Sequence, residues 1–167
     1  MPLNESILAE MEQEAIATRK TLERVPEDKF TWKPHEKSMS LGELASHVAE
    51  ISTWTGASIK QDELDFATAG YKPFVPKTTA ELVKFFDDNH AEAMKVLKEN
   101  ATDDVLNGMW TLKNGETVYF TMPRTAVMRG FVLSHLIHHR AQLGVYLRLL
   151  GVPVPSVYGP SADEANM

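Results

Sequence analysis

Ser134-His135-Leu136-Ile137-His138-His139-Arg140-Ala141-Gln142 lies inside a long helical pattern, and its reading decides the fold. At about 100° per residue, His135 and His139 stand one turn apart and within about 40° of each other. Working outward, Met128, Phe131, Val132, Gln142, Tyr146, Leu149 and Leu150 fall on the same face. Pro123 marks the start of this helix, because proline suits a first turn. Gly151, with Pro153 beyond it, marks the end. The opposite side carries Leu133, Ile137, Ala141, Gly144 and Val145. A helix apolar nearly all round is buried on both sides. It is therefore expected at the centre of a bundle, with its back against a second copy of the chain in a homodimer.

Three further helices precede it. The first runs from about Leu3 to Val25 and stops at Pro26. The second opens on Ser40-Leu41-Gly42-Glu43, a capping box in which the serine hydroxyl and the glutamate each satisfy a free backbone N–H. It is expected to reach about Lys60, burying Leu41, Leu44, Val48 and Ile51, with His47 and Trp54 on one shoulder. The third opens on Thr78-Thr79-Ala80-Glu81, a second capping-box pattern, and runs to about Asn100. Residues 61–77 read as irregular. Alternation of Trp110, Leu112, Val118 and Phe120 around Asn114-Gly115 signals a short hairpin. The tail from Val152 to Met167 reads as extended. The expectation is an all-α four-helix bundle in one domain, 1–167, with a short irregular or hairpin segment before the last helix.

A chain of 167 residues is long enough to bury a real core. Its formal net charge of −6 argues against binding nucleic-acid phosphates or an anionic membrane surface. With no cysteine, a disulfide framework, a CxxC motif and a thiolate zinc site are all excluded. The first residues lack a signal-peptide pattern and no apolar run nears a membrane span, so the expected compartment is the cytoplasm.

His135 and His139 sit in the middle of a buried stripe, where two unpaired imidazoles would be costly. A metal ion would satisfy both, and His47 from the second helix would complete a three-histidine site with a position left open. His138 could pair with His135 at i, i+3 but lies to one side; it reads as a supporting or structural residue, with a place among the ligands as the lesser alternative. Gln142 either orients a ligand ring or a water, or is a hydrogen-bonded core amide. Glu50, one turn after His47, reads as a solvated helix residue, with support of the His47 site as the lesser alternative, and Arg140 reads as a salt-bridge or interface residue. Trp32, Trp54 and Tyr71 read as core aromatics rather than pocket walls. His35 is expected in solvent and His90 at the core boundary.

Several of these stretches resemble one known family. They are Trp32-Lys33-Pro34, Ser38 through His47, His135 through Gln142, Gly151-Val152-Pro153-Val154-Pro155, and Tyr158-Gly159-Pro160. Together they resemble the DinB family of the DinB/YfiT-like superfamily. The resemblance implies a four-helix bundle, often dimeric, with a divalent metal held by His47, His135 and His139. It also implies an enzyme among relatives that include bacillithiol S-transferases and mycothiol-dependent maleylpyruvate isomerase. The leading expectation is a thiol S-transferase in which the metal (zinc, nickel or iron) activates a low-molecular-weight thiol toward a small electrophile. A metal-dependent hydrolase is the alternative, weakened by the lack of a convincing carboxylate on the His135 face. A non-catalytic metal-binding stress protein is the third reading.

Overall fold

The computed structural model describes residues 2–164, so the last part of the tail, residues 165–167, lies outside the described residues. Helix α1 (Leu3–Leu22) is followed by a 3₁₀ turn (Glu27–Lys29). Helix α2 (Leu41–Glu50) begins at the expected capping box, with Ser40 Oγ accepting from Glu43 N and Glu43 Oε2 accepting from Ser40 N. The expected single helix to Lys60 is broken. A 3₁₀ turn, Ile51–Thr53, separates α2 from α3 (Trp54–Lys60). Ser52, Thr53 and Thr55 crowd this junction, and such residues hold an α-helix weakly.

Helix α4 (Thr79–Asn100) starts at Thr78, whose hydroxyl accepts from Glu81 N. The reciprocal half of the box is displaced by one residue, since Glu81 accepts from Lys77 N. A short helix α5 (Asp103–Asn107) leads into the hairpin strands β2 (Met109–Asn114) and β3 (Thr117–Pro123). Gly115 adopts the positive φ of +59° that its two-residue turn requires.

The pure all-α bundle is corrected here. Strand β1 (Glu63–Asp65), in the segment read as irregular, pairs parallel with β2, so the chain is mostly helical but carries a three-stranded sheet ordered β1-β2-β3. Asp65 ties this strand to the hairpin by accepting from Gly115 N at 2.8 Å. Its carboxyl is held below the ordinary range by that bond and by one from Ala67 N. The sheet covers a small second core of Trp110, Leu112 and Val127, and the Trp110 indole donates to the Ala57 carbonyl.

The last helix is also not one regular rod. A four-residue helix α6 (Arg124–Val127) passes into a π-helical segment (Met128–Ser134) before α7 (His135–Leu149). Arg124 is buried at the junction and donates to the carbonyls of Ser58, Met109 and Gln61 and to the Asp62 carboxylate. One guanidinium thus fixes the start of this run against α3 and the sheet. The main core lies between α1, α2, α4 and α7, where Leu22, Leu44, Val48, Leu82, Phe86, Leu97, Leu143 and Leu147 are fully or almost fully buried. Leu133, placed on the back of the last helix by its pattern, is core as well, whereas Ala141 and Val145 are exposed.

Candidate metal centre

Helix α2 presents His47 toward α7, and α7 presents His135 and His139 one turn apart. One ring nitrogen from each of the three lies within 4.8 Å of the other two. His47 Nε2 and His135 Nε2 are 3.1 Å apart. Two nitrogens bound tetrahedrally to zinc at about 2.0–2.1 Å would sit about 3.3 Å apart, so the spacing suits a shared ion.

The far side of each ring explains the arrangement further. His47 Nδ1 is 3.0 Å from Glu50 Oε1, and the Tyr71 hydroxyl donates to the two oxygens of the same carboxylate at 2.7 and 2.9 Å. Burial, and then that bond to Glu50, raises the Tyr71 phenol above its ordinary range. A carboxylate can only accept, so the His47 proton belongs on Nδ1 and the lone pair on Nε2. His139 Nδ1 faces Gln142 Oε1 at 2.8 Å, which likewise frees its Nε2. The Phe131 carbonyl favours a proton on the His135 ring. The His47 Nε2 lone pair then faces His135 Nε2 at hydrogen-bond distance. A cation would satisfy both nitrogens at once, and a set of three imidazoles, two of them backed by a side-chain oxygen, fits a divalent metal.

The surroundings of His135 and His139 favour their neutral form. Burial, and then the neighbouring His139, His47 and His138, push His135 down to about 4. His139 is also lowered, mainly by burial. The Trp54 ring packs 5.0 Å from His135 and 5.8 Å from His47, and it stacks on Phe131 at 4.2 Å. These aromatics form an apolar wall on one side of the cluster.

The residues named from sequence therefore divide. His47, His135 and His139 come together. Gln142 braces a ring of the cluster. His138 is exposed and touches only the edge of the group, with its ring 4.8 Å from that of His139. Arg140 is in a buried ion pair with Glu14 at 2.6 Å, as its salt-bridge reading expected. His35 is exposed, and His90 is half-buried with its ring on Phe86. Trp54 and Tyr71 border the site instead of serving only the core. Glu50 differs most from its reading. It is 6% exposed and is the partner of His47. Its spacing, three residues after His47, was the signal for this lesser of its two readings.

Fold and cluster together define a mostly helical protein whose three-histidine group can hold a divalent ion. The sequence profile of the DinB family matches residues 1–166, and the chain belongs to that family. It is 27% identical over 161 residues to the uncharacterized protein YrdA of Bacillus subtilis strain 168, a match spanning 94% of this chain and 89% of YrdA. Its fold is similar to that of a DinB-like protein from Bacillus cereus ATCC 10987, with a TM-score of 0.71 at 22% identity over 92% of this chain and 97% of the other. A DinB-like protein from Bacillus subtilis, YjoA, has a TM-score of 0.70 at 18% identity over 97% and 99% of the two chains.

Proposed function

We propose that this protein is a metal-dependent enzyme, and that it is a thiol S-transferase joining a low-molecular-weight thiol to a small electrophile. The observation that carries the reading is the convergence of three imidazoles, two of which have their outer nitrogen engaged by a side-chain oxygen. His47, His135 and His139 would hold the ion, with zinc, nickel or iron as candidates. A divalent cation there would lower the pKa of a thiol and make it a competent nucleophile near neutral pH.

The chain supplies the rest. Burial keeps His135 and His139 unprotonated, which is the form that can ligate. Gln142 and Glu50 hold two of the rings in place, and Trp54 with Phe131 limits water on one flank. The chain has no cysteine, so the reacting sulfur would come with the cosubstrate. Glu50 sits beside the cluster but is engaged by both His47 and Tyr71, so it does not serve as the free base that a hydrolase needs. No helix among the described residues is long and apolar enough to cross a membrane. The exposed back of α7, with Ala141 and Val145, is the surface on which a homodimer would form.

The test combines elemental analysis with turnover. About one metal equivalent per chain, lost in a His135→Ala/His139→Ala variant, is expected. Consumption of an electrophile should then require both the metal and an added thiol. Turnover with water alone would replace the transferase reading by the hydrolase. A metal-loaded protein with neither activity would leave a non-catalytic metal protein.

A further inference from the structure

Glu50 is a buried acid on a helix that the core needs, and nothing in the main core calls for its charge. Its carboxylate is reached from two sides. His47 Nδ1 lies on one, at 3.0 Å, and the Tyr71 hydroxyl lies on the other, at 2.7 and 2.9 Å. Tyr71 belongs to the loop between β1 and α4. It follows Gly70, whose φ is +61°, and precedes Phe74, which is stacked on Phe85 of α4 at 4.0 Å. The tyrosine is 60% exposed overall, so it is not there to fill the core. A cavity of about 700 Å³ opens beside these groups, and His47, Glu50, Tyr71, Phe74 and Met39 are among its walls.

We propose that Tyr71 and Glu50 are positioning residues that act in series on His47. They fix its proton on Nδ1 and aim its Nε2 at the ion, and they tie the loop over the cavity to the metal site. The proposal rests on the metal reading above. Its physical basis is that a ligating histidine held by a carboxylate is both oriented and made a stronger donor. Tyr71 adds a second step by holding the carboxylate itself, donating to both of its oxygens. With the phenol absent, Glu50 keeps His47 but gains freedom to rotate toward the cavity.

Two measurements on the whole chain test this: zinc affinity by chelator competition, and the tautomer of the His47 ring by ¹⁵N NMR in zinc-free protein. They would be made on the wild type, Glu50→Gln and Tyr71→Phe, with His135→Ala/His139→Ala as the control without a site. Glu50→Gln is expected to weaken zinc binding by about 10–100-fold, the usual cost of losing such a partner, and to reduce the Nδ1–H form of His47. Tyr71→Phe is expected to weaken zinc binding by about three- to tenfold, less than the loss of the ligand's direct partner, and to leave the melting temperature unchanged, which separates positioning from folding. Should Glu50→Gln fail to fold, Tyr71→Phe carries the test alone. Wild-type affinity and an unchanged His47 tautomer in both variants would overturn the proposal. If the wild type binds no zinc, nickel or iron, the metal reading fails by itself. The relay then still stands if Glu50→Gln shifts the His47 tautomer, and falls if it does not.

Discussion

Replacing Arg140 with methionine should be among the most damaging single changes to this fold. The guanidinium is 3% exposed and the Glu14 side chain 6%. Water screens neither, so the surface-pair discount does not apply. Arg140 Nη1 lies 2.6 Å from Glu14 Oε2 and also donates to the Glu14 carbonyl and to Thr18 Oγ1, both at 3.1 Å. Its Nη2 donates to the Tyr158 hydroxyl at 2.7 Å, and that hydroxyl donates to the Glu14 carboxylate. Arg140→Met would leave Glu14 buried with only the tyrosine hydroxyl, and stranding one partner of a buried pair costs about 3–5 kcal/mol. At roughly 2–4 °C per kcal/mol for a chain of this size, the melting temperature should fall by about 6–20 °C.

The opposite substitution should be milder. In Glu14→Gln the guanidinium keeps three oxygen acceptors, so the loss should be about 1–3 kcal/mol. Joint replacement by Glu14→Leu and Arg140→Met should recover part of the single-mutant loss, because no charge is then stranded. Urea unfolding followed by far-ultraviolet circular dichroism measures all three. A loss below about 1 kcal/mol in Arg140→Met, or a larger loss in Glu14→Gln than in Arg140→Met, would refute this account of the pair.

Zinc at about 100 times its Kd should stabilise the wild type by about 2.7 kcal/mol, visible as a higher melting temperature. The shift should vanish in His135→Ala/His139→Ala; an equal shift in that variant would place the ion elsewhere. Gly42→Ala should destabilise by roughly 1 kcal/mol, because overpacking outweighs the gain in helix propensity. The added Cβ would meet both Cβ and the carbonyl oxygen of Phe30 at 3.1 Å, and thermal melting of the variant reads the cost. The Glu43 carboxyl is held below its ordinary value of 4.5, first by the Ser40 backbone N–H and then by the Ser40 side chain. A carboxyl depressed by folding adds stability that is complete above the unfolded value and is lost as pH falls through the folded one. Glu43→Gln should therefore flatten the acid limb of stability against pH below about 5, and an unchanged limb would count against the capping bond.

What the sequence made legible was local. Ser40 and Glu43 are three residues apart, and the box they form is decided within one helical turn. Thr78 and Glu81 show the limit of that logic. Their spacing is right, yet Glu81 reaches Lys77 N instead of Thr78 N, because an exposed side chain chooses between neighbouring donors. The hairpin was legible from alternation around Asn114-Gly115. Strand β1 was not. It has three residues, Glu63, Leu64 and Asp65, with one apolar side chain among them, and it exists because β2 offers it a parallel partner far along the chain. The breaks in the second and last helices were equally hidden, since 3₁₀ and π segments keep a helical appearance in an apolar pattern.

The candidate site follows the same division. His135 and His139 both lie in regular α-helix, beyond the π segment, so a wheel drawn for four residues placed them correctly beside each other. Their meeting with His47 depends on how α2 packs on α7, which a one-dimensional pattern suggests only through His47's place on the shoulder of a buried stripe. Glu50 reads first as solvated, and only second as a support of His47, for a related reason. On α2 alone it looks like a polar residue at the end of a helix, free to reach water. It is buried because the loop carrying Tyr71 crosses it, and that loop is held by Gly70 and by Phe74 on Phe85. The groups that could touch an ion were thus nearer to the sequence than those that hold them in place. A ligand is recognised by residue type, whereas its supporting partner is defined by a tertiary contact. A histidine followed three residues later by an acid, with a tyrosine in the next loop, is the sequence pattern on which a Glu50-type relay can be sought in other chains of this fold.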